Sequence, residues 1–161
     1  MIFVTLGSQK FQFNRLLKEI DRLVEYGKIQ EEVFAQIGYS DYLPKNYKYQ
    51  QFLDRVEFAN MMSQSDIVIT HGGTGAIIGG VKKGKKVIAV PRLAKYGEHV
   101  DDHQTQIIEQ FDGMNIIIAC NDVSDLEDAI LKIKDVRTVE YKSNTNIIIE
   151  SIINYINKEV I

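Results

Sequence analysis

The chain contains 161 residues, 45% of them apolar and 25% charged, which is ordinary for a single compact globular domain, here expected over residues 1–161. Its 19 basic and 22 acidic residues are mixed along the chain and give a net charge of −3. A nucleic-acid partner is therefore disfavoured, because neutralising phosphates needs clustered Lys and Arg. The single cysteine, Cys120, excludes an intrachain disulfide and a CxxC metal site.

Short β-branched runs alternate with helical patterns along the chain. The apolar runs predict strands at residues 2–6, 33–37, 49–53, 66–70, 86–90 and 116–119. Apolar residues at helical spacing predict helices at residues 13–24, 56–63, 101–111, 126–133 and 147–156, and a further helix ends at Lys83. Continuous apolar strands joined by helices build a parallel sheet covered on both faces. The predicted fold class is therefore α/β, with a Rossmann-like doubly wound parallel sheet.

Three segments that follow predicted strands are polar or glycine-rich. Gly7 and Ser8 follow the first strand, the sequence HGGTG at residues 71–75 follows the strand DIVIT, and residues 92–104 follow the strand KVIAV. In a doubly wound sheet, ligands bind beyond the carboxyl ends of the strands. We therefore expect the three segments to converge on one binding edge.

The sequence HGGTG has the features of a phosphate-binding turn. A strand that runs into glycines and then a helix presents free backbone N–H groups at the helix N-terminus, where the helix dipole adds partial positive charge. Gly72, Gly73 and Gly75 permit a tight turn and a close approach of phosphate to the backbone. Thr74 can cap the helix or donate its hydroxyl to phosphate. The alternative is a tight turn without a ligand.

Two common phosphate loops are excluded. No stretch of the chain matches the Walker pattern GxxxxGK[ST]. The dinucleotide pattern GxGxxG would need glycine at position 78, which is Ile78, and it usually follows the first strand, where this chain has GSQKFQ. A nicotinamide or flavin enzyme is therefore disfavoured.

The segment RLAKYGEHVDDHQTQ carries a dense polar cluster that enters a predicted helix. Its members are Glu98, His99, Asp101, Asp102, His103 and Gln104. Asp and Gln side chains carry the groups that recognise sugar hydroxyls, whereas acidic residues in a first helical turn also simply favour the helix dipole. His99 and His103 are four residues apart, as in some zinc sites. No HExxH arrangement and no third ligand accompany them, so no metal site is predicted.

Four motifs occur in order at the expected strand ends, namely VTLGSQ, DIVITHGGTGAI, GKKVIAVPR and EHVDDHQ. Together they resemble the C-terminal, donor-binding domain of family 28 glycosyltransferases, which have the GT-B architecture. The resemblance covers about residues 1–135 and implies the C-terminal half of a GT-B enzyme. It is strongest to stand-alone donor-binding subunits. These include the eukaryotic subunit of a split UDP-GlcNAc transferase and bacterial subunits that support a galactosyltransferase in capsule or exopolysaccharide synthesis.

The resemblance implies a nucleotide-sugar site. Its residues would be Gly7, Ser8, Phe52, Leu53, His71, Gly72, Gly73, Thr74, Gly75, Glu98, His99, Asp102, His103 and Gln104. In the family, the glycine turns hold the diphosphate, the segment around Phe52 contacts uracil largely through backbone groups, and the loop at residues 102–104 faces the donor sugar. Many members carry an acidic residue that binds the ribose where this chain has Gly79.

The resemblance also implies an inverting hexosyl transfer in which an acceptor hydroxyl displaces UDP without a covalent intermediate. UDP-galactose is the favoured donor and UDP-GlcNAc the next, and the acceptor is expected to be a lipid-linked saccharide. A membrane-associated partner subunit would supply the acceptor half and the general base. His71 is the candidate base within this chain, although a histidine at a strand end is more often structural. No cofactor is expected.

Two other functions compete with this interpretation. One is a non-catalytic accessory subunit that stabilises or enhances a partner glycosyltransferase, which the missing ribose anchor at Gly79 favours. The other is a free-standing enzyme of unrelated chemistry, which is disfavoured because no nucleophile–base pair is evident from the spacing of residues.

Location and partner contact are the last expectations. The N-terminal MIFVTLGSQK lacks the pattern of a signal peptide, and no run reaches the ~20 apolar residues of a membrane span. We therefore expect a cytoplasmic protein that reaches the inner face of the membrane through its partner. The isoleucine-rich C-terminal helix is expected to pack on its own sheet, and contact with the partner is the alternative.

Overall fold

The computed structural model describes residues 1–159. Its strands are β1 (Ile2–Thr5), β2 (Val33–Gln36), β3 (Lys48–Gln50), β4 (Ile67–His71), β5 (Lys86–Val90) and β6 (Ile118–Ala119). They form one sheet in the order β3-β2-β1-β4-β5-β6, and all neighbouring strands are parallel. This is the 3-2-1-4-5-6 order of Rossmann sheets. The predicted α/β, doubly wound fold is therefore confirmed.

Both faces of the sheet are covered by helices. The helices are α1 (Asn14–Glu25), α2 (Arg55–Gln64), α3 (Thr74–Lys82), α4 (His103–Gly113), α5 (Leu126–Asp135) and α6 (Thr145–Glu159). On one face, α1 and α5 bury residues such as Leu16 and Ile130. On the other, α2, α3 and α4 bury Met62, Ile77 and Ile108. Within residues 1–159, no helix is long and apolar enough to cross a membrane.

The central strands are apolar throughout because successive side chains enter opposite cores. In β1, Ile2 and Val4 join the core under α1 and α5, whereas Phe3 joins the core under α2, α3 and α4. A strand buried on both faces reads as a continuous apolar run rather than as an alternating one. This is why the strands could be predicted from the sequence.

The predicted elements are present with ends that differ by up to three residues, and two of these differences bear on the site. The third strand, predicted at residues 49–53, is Lys48–Gln50 and lies exposed at the edge of the sheet. The chain then turns into α2, whose N-cap Asp54 accepts hydrogen bonds from the first helical turn. Helix α4 begins at His103 rather than at residue 101, because Asp102 is its N-cap.

Helix α6 does not pack on the sheet, so the first expectation for it is wrong. Its residues from Thr145 to Asn157 are all exposed. Six isoleucines and one tyrosine on it have between 48% and 67% of their surface open to solvent, namely Ile147, Ile148, Ile149, Ile152, Ile153, Tyr155 and Ile156. The apolar periodicity indicated that this helix packs against another apolar surface, but that surface is not the sheet of this chain.

The chain changes direction across the sheet between β1 and β4. From β1 it builds outward through β2 and β3, then returns to place β4 on the other side of β1. Thr5 and Thr70 are partners in this pairing, and the Thr70 hydroxyl donates to the Thr5 carbonyl at 2.9 Å. The crevice beyond such a switch point is where doubly wound sheets bind ligands. Here it lies between the Gly7 turn and the HGGTG turn.

Candidate functional site

The β1–α1 loop begins at Gly7, whose φ of +71° lies in the left-handed region that favours glycine. A side chain at this position would also collide with His71, since a Cβ atom would lie 2.6 Å from the imidazole Nε2. Gly7 therefore lets the loop approach the end of β4 closely. Ser8 follows it and is exposed.

Helix α3 begins directly after the second glycine turn. Gly73 is its N-cap and provides no side-chain cap, so Thr74, the first helical residue, does not cap the helix. Thr74 and Gly75 are exposed, and the N–H groups of a first helical turn have no acceptor within their helix. With the helix dipole, they form a site suited to an anion.

The imidazole of His71 is buried between the two glycine turns. Its Nδ1 lies 3.0 Å from the backbone N–H of Gly73, which donates to it, and its Nε2 faces Gly7. Burial, and then the positive charges of Arg92 and His99, lower the pKa of His71 to about 3. The ring is therefore neutral near pH 7.

Gln104 joins two of the three segments that sequence reasoning predicted to converge, the HGGTG turn and residues 92–104. Its Oε1 accepts hydrogen bonds from the N–H of Gly72 at 3.1 Å and from the N–H of Arg92 at 3.0 Å. Only 5% of the residue is exposed. Gln104 was predicted to contact the donor sugar, but its amide oxygen is occupied by backbone donors.

Glu98 was predicted as a nucleotide-sugar-binding residue as well, and it is fully buried. Both of its oxygens lie 3.0 Å from the Arg15 guanidinium, and one also accepts from the N–H of Leu93. Its carboxylate therefore fixes the β5–α4 loop against α1. Sequence reasoning did not single out Arg15, whose helical position gave no sign of a partner 83 residues away.

Arg92, at the end of β5, is a second buried charge that sequence reasoning did not single out. Its Nη2 donates to the carbonyl oxygens of Leu6 at 2.8 Å and Phe11 at 3.2 Å, so it holds the β1–α1 loop in place. Burial lowers the pKa of Arg92 to about 10, which leaves the guanidinium charged near pH 7. Its position directly after Pro91 and a buried strand was the only sequence signal for this role.

The remaining members of the polar cluster lie nearer the surface. Asp102 is exposed and its carboxylate accepts from the N–H of Ala94 at 2.8 Å, while His103 is exposed at the start of α4. The His99 ring packs on Phe11, with ring centroids 4.8 Å apart. His99 precedes α4 instead of lying on it. The shared helix face that would have suggested zinc therefore does not form.

Phe52 and Leu53 lie beyond the ends of β2 and β3. The Phe52 ring meets Tyr39 edge to face, with centroids 5.3 Å apart, and both rings are partly exposed. Leu53 donates its N–H to the Gln36 side chain at 3.0 Å. Sequence reasoning missed Tyr39, whose only signal was its place just after the second strand.

Gly38 connects this aromatic pair to the crevice. A Cβ atom on Gly38 would lie 2.9 Å from the carbonyl oxygen of Gly7, so the β2 and β1 ends are in contact. The structure thus brings several of the predicted residues into two adjoining groups. One is the glycine turns with His71 and Gln104, and the other is the pair Phe52 and Leu53.

Gly79 and Gly80, in the middle of α3, have different environments. A Cβ atom on Gly80 would lie 2.8 Å from Val87 Cγ2, so Gly80 lets the helix pack closely on β5. For Gly79, no atom of residues 1–159 lies within 4 Å of the Cβ position, apart from its chain neighbours and its own helix backbone. Packing therefore explains Gly80 but not Gly79.

Comparison with known proteins is consistent with this geometry. The model of the glycosyltransferase family 28 C-terminal domain matches residues 1–157, nearly the whole chain. The chain belongs to this family. The expectation drawn from the four strand-end motifs is confirmed.

A curated family relative is the UDP-N-acetylglucosamine transferase subunit ALG13 of Candida glabrata. It is 31% identical to this family 28 domain over 134 residues, which are 82% of this chain and 59% of the relative. The chain thus spans less than two thirds of the length of this relative.

Solved structures support the fold. The glycosyltransferase SnogD from Streptomyces nogalater superposes with a TM-score of 0.60 and 19% identity, over 83% of this chain and 34% of that one. A solution structure of ALG13 superposes with a TM-score of 0.54 and 18% identity, over 86% of this chain and 87% of that one. The family 28 domain therefore has the fold of one part of a GT-B glycosyltransferase.

Proposed function

We propose that this chain is the donor-binding part of a two-part inverting glycosyltransferase, and that the crevice between β1 and β4 binds the diphosphate of a UDP-sugar. The observation that carries the proposal is that the Gly7 turn and Gly73, the N-cap of α3, both pack against His71 at the switch point of the sheet. Helix N-termini with glycine turns bind phosphates in doubly wound sheets.

The reaction we propose is displacement of a diphosphate leaving group. As the bond from the anomeric carbon to the diphosphate breaks, negative charge grows on the diphosphate, and the acceptor hydroxyl oxygen forms the new bond. Preorganised donors at that charge lower the barrier. The donors available here are the N–H groups of Thr74 and Gly75, the hydroxyls of Thr74 and Ser8, and the imidazole of His71.

We assign the general base to the acceptor half rather than to this chain. His71 was the candidate within the chain, but its pKa of about 3 makes it a weak acceptor of the proton of a sugar hydroxyl. It is also buried between two glycine turns.

The other contacts of the donor follow from the positions of the exposed groups. The partly exposed rings of Phe52 and Tyr39 offer an apolar surface for uracil. Asp102 and His103 are exposed where the β5–α4 loop enters α4, and they carry groups that bind sugar hydroxyls.

Helix α6 supports a requirement for a partner. An exposed helix with seven large apolar side chains is unusual for a stable monomer, because such surfaces mark interaction sites. We propose that α6 docks on the acceptor-binding half, and that this half brings the chain to a membrane where a lipid-linked saccharide is the acceptor.

Two donor sugars are candidates. The Candida glabrata relative is named a UDP-N-acetylglucosamine transferase subunit, which supports UDP-GlcNAc. The resemblance to bacterial subunits supports UDP-galactose, and with it a role in capsule or exopolysaccharide synthesis. We propose UDP-GlcNAc as the first donor to test and UDP-galactose as the alternative.

A non-catalytic accessory subunit is the competing function. It is favoured by Gly79, where many family members carry an acidic ribose anchor and where this helix has open space for a side chain. If only that anchor is missing from a true donor site, Gly79→Glu adds a charge-assisted hydrogen bond and tightens UDP binding by about tenfold. In an accessory subunit without a donor site, the substitution leaves UDP binding undetectable.

Calorimetric titration with UDP, UDP-GlcNAc and UDP-galactose, with and without the partner, tests the proposal. Gly75→Val places a side chain at the α3 N-terminus and should weaken UDP binding at least tenfold, since phosphate can no longer approach the backbone. Gly113→Val is the control, because both glycines lie in helices and their Cβ positions meet no atom within 4 Å among residues 1–159. Absence of UDP binding by the unsubstituted protein with its partner would overturn the proposal.

A further inference from the structure

The Arg92 guanidinium is buried directly behind the Gly7 turn. Only 1% of the residue is exposed, and its Nη2 donates to the carbonyl oxygens of Leu6 and Phe11, one on each side of the turn. Its Nε and Nη1 are buried as well, and neither has a hydrogen-bond acceptor among residues 1–159. Most of the donors of this cation are therefore unsatisfied by the chain.

No carboxylate balances the positive charge of Arg92 at close range. Within residues 1–159, no Asp or Glu oxygen lies within 4 Å of its guanidinium. Glu98 attracts it from a greater distance, but both Glu98 oxygens are bonded to Arg15. The Phe13 ring, whose centroid is 5.4 Å from the Arg92 Cζ, offers the weaker attraction of a π face. Two cations thus share one anion, and one positive charge remains in excess.

This arrangement lowers the stability of the folded chain. A buried cation without a counter-charge loses its hydration and regains little of that free energy from the protein. An apolar residue in the place of Arg92 would avoid the loss. Groups that break this rule are expected at functional sites, where a ligand supplies what the chain lacks.

The charge of Arg92 acts on the crevice. Leu6, whose carbonyl oxygen lies 2.8 Å from the Arg92 Nη2, immediately precedes Gly7. Burial, and then the charge of Arg92, hold the pKa of His71 well below its ordinary value, and the His71 ring lies against the Gly7 turn and Gly73. A charge in a buried site acts over a longer range than it does in water. An anion beside these turns is therefore attracted by Arg92.

We infer that Arg92 supplies the crevice with a buried positive charge that attracts the diphosphate of the donor without touching it. The inference rests on the proposed function, in which the diphosphate of a UDP-sugar occupies the crevice. The diphosphate then provides the counter-charge that the chain lacks. Because the attraction grows with the charge of the ligand, Arg92 favours UDP over UMP, and UMP over neutral uridine.

Two substitutions separate the charge of Arg92 from its support of the loop. Arg92→Gln and Arg92→Lys both remove the guanidinium and retain an N–H donor, but only Arg92→Lys keeps the charge. We expect Arg92→Gln to weaken UDP about tenfold, the order of magnitude for one buried charge, and uridine less than twofold. We expect Arg92→Lys to weaken UDP less than threefold. Calorimetry for UDP and ligand-observed NMR for uridine, on the full chain with its partner at pH 7.5, measure these changes. Equal weakening of UDP in the two variants would overturn the inference.

The pH dependence of Arg92→Lys measures the same charge and does not require Arg92→Gln to fold. Burial lowers the pKa of Arg92 to about 10, and it also lowers the pKa of a lysine at this position. Between pH 7.5 and 9.5, where UDP is already fully ionised, we expect UDP affinity to fall about tenfold as this lysine loses its proton. The unsubstituted protein should keep its affinity over that range.

The charged groups that face residue 92 are common to both proteins. They are His71 from β4, Glu98 from the β5–α4 loop and Arg15 from α1, across the Phe13 ring. A difference between the two pH profiles therefore belongs to the substituted side chain. Parallel profiles would show that the charge of Arg92 does not act on the nucleotide.

Arg22→Gln controls for the total charge of the chain. Arg22 lies on α1 with 49% of its side chain exposed, so its loss should change UDP affinity less than twofold, and a loss equal to that of Arg92→Gln would contradict the inference. If the unsubstituted protein with its partner binds no UDP, the proposed function fails and the inference fails with it. If UDP binds, and Arg92→Gln binds it as tightly, the inference alone fails and the donor site stands.

Discussion

The Glu98 carboxylate binds the Arg15 guanidinium through both of its oxygens, each 3.0 Å from a guanidinium nitrogen. The two residues are 83 positions apart, and the pair closes the β5–α4 loop over α1. Glu98 is fully buried, whereas the Arg15 side chain keeps 17% of its surface exposed. This bidentate pair therefore stabilises the loop that leads to Asp102 and His103.

Removing one partner of this pair should destabilise the protein. Glu98→Gln leaves the Arg15 charge partly buried without its counter-charge, and we expect the free energy of unfolding to fall by about 2–4 kcal/mol. Glu19→Gln is the control, since the Glu19–Arg22 pair lies on one helix and Arg22 is exposed; we expect a loss below about 1 kcal/mol. Urea denaturation measures both, and equal losses would contradict a structural role for Glu98.

Alanine at Gly79 and alanine at Gly80, adjacent positions of α3, should change the stability of the protein in opposite directions. Gly79→Ala adds a methyl group in open space and should stabilise the protein by up to about 1 kcal/mol, the difference in helix propensity. Gly80→Ala forces the helix away from Val87, 2.8 Å from the new Cβ atom, and overpacking of this kind costs about 1–3 kcal/mol. Thermal unfolding of the two variants checks the prediction, which is wrong if both shift the midpoint in the same direction.

Much of this fold could be predicted from the sequence because its central strands are buried on both faces. Such strands appear as uninterrupted apolar runs, as in Ile2 to Val4. Element ends were less predictable, because a cap such as Asp102 sets the start of α4 through its backbone conformation. The position of α6 was not predictable. Apolar periodicity indicates that a helix packs against an apolar surface, but it does not identify that surface.

The glycine turns of the candidate site could be predicted from the sequence. The roles of the side chains that hold those turns and loops in place could not. Gly7 and the HGGTG turn follow strands directly, so their position could be inferred from order along the chain. Gln104 and Glu98 were assigned to the nucleotide-sugar site from the polar cluster in the sequence and from the family resemblance. Both are bonded to backbone N–H groups, and sequence order does not reveal which side-chain groups tertiary contacts will occupy.

Gly7→Ala should lower the affinity for UDP as well as the stability of the protein. The φ of +71° makes alanine unfavourable by about 1–2 kcal/mol, and the methyl group would also displace the His71 ring. Gly27→Ala is the matched control, with a φ of +68° and no atom of the described chain within 4 Å of its Cβ position. We expect both variants to lose stability, and only Gly7→Ala to lose UDP affinity in calorimetry. Equal UDP affinity in the two variants would show that His71 and this turn do not contact the nucleotide.

The stability of the protein should depend on pH through His71. Its pKa is about 3 in the folded protein, below the ordinary value of 6.5, so the unfolded chain takes up a proton first as the pH falls. The contribution of His71 is complete above pH 6.5 and decreases below it, by about 1.4 kcal/mol per pH unit. Urea denaturation between about pH 6.5 and 4.5, above most carboxylate titration, should show this slope. His71→Gln should lose it, whereas the exposed His103→Gln should keep it.

Helix α6 should be dispensable for folding and required for association. Ile148 and Ile152 are about half exposed, whereas Ile133 of α5 is fully buried. We expect the double variant Ile148→Ala with Ile152→Ala to change the free energy of unfolding by less than about 0.5 kcal/mol, and Ile133→Ala to lower it by about 2–5 kcal/mol. In co-purification with the acceptor half, the double variant should lose the partner because truncation removes apolar contact area from the interface. If the double variant unfolds as readily as Ile133→Ala, α6 packs on its own domain and the partner must dock elsewhere.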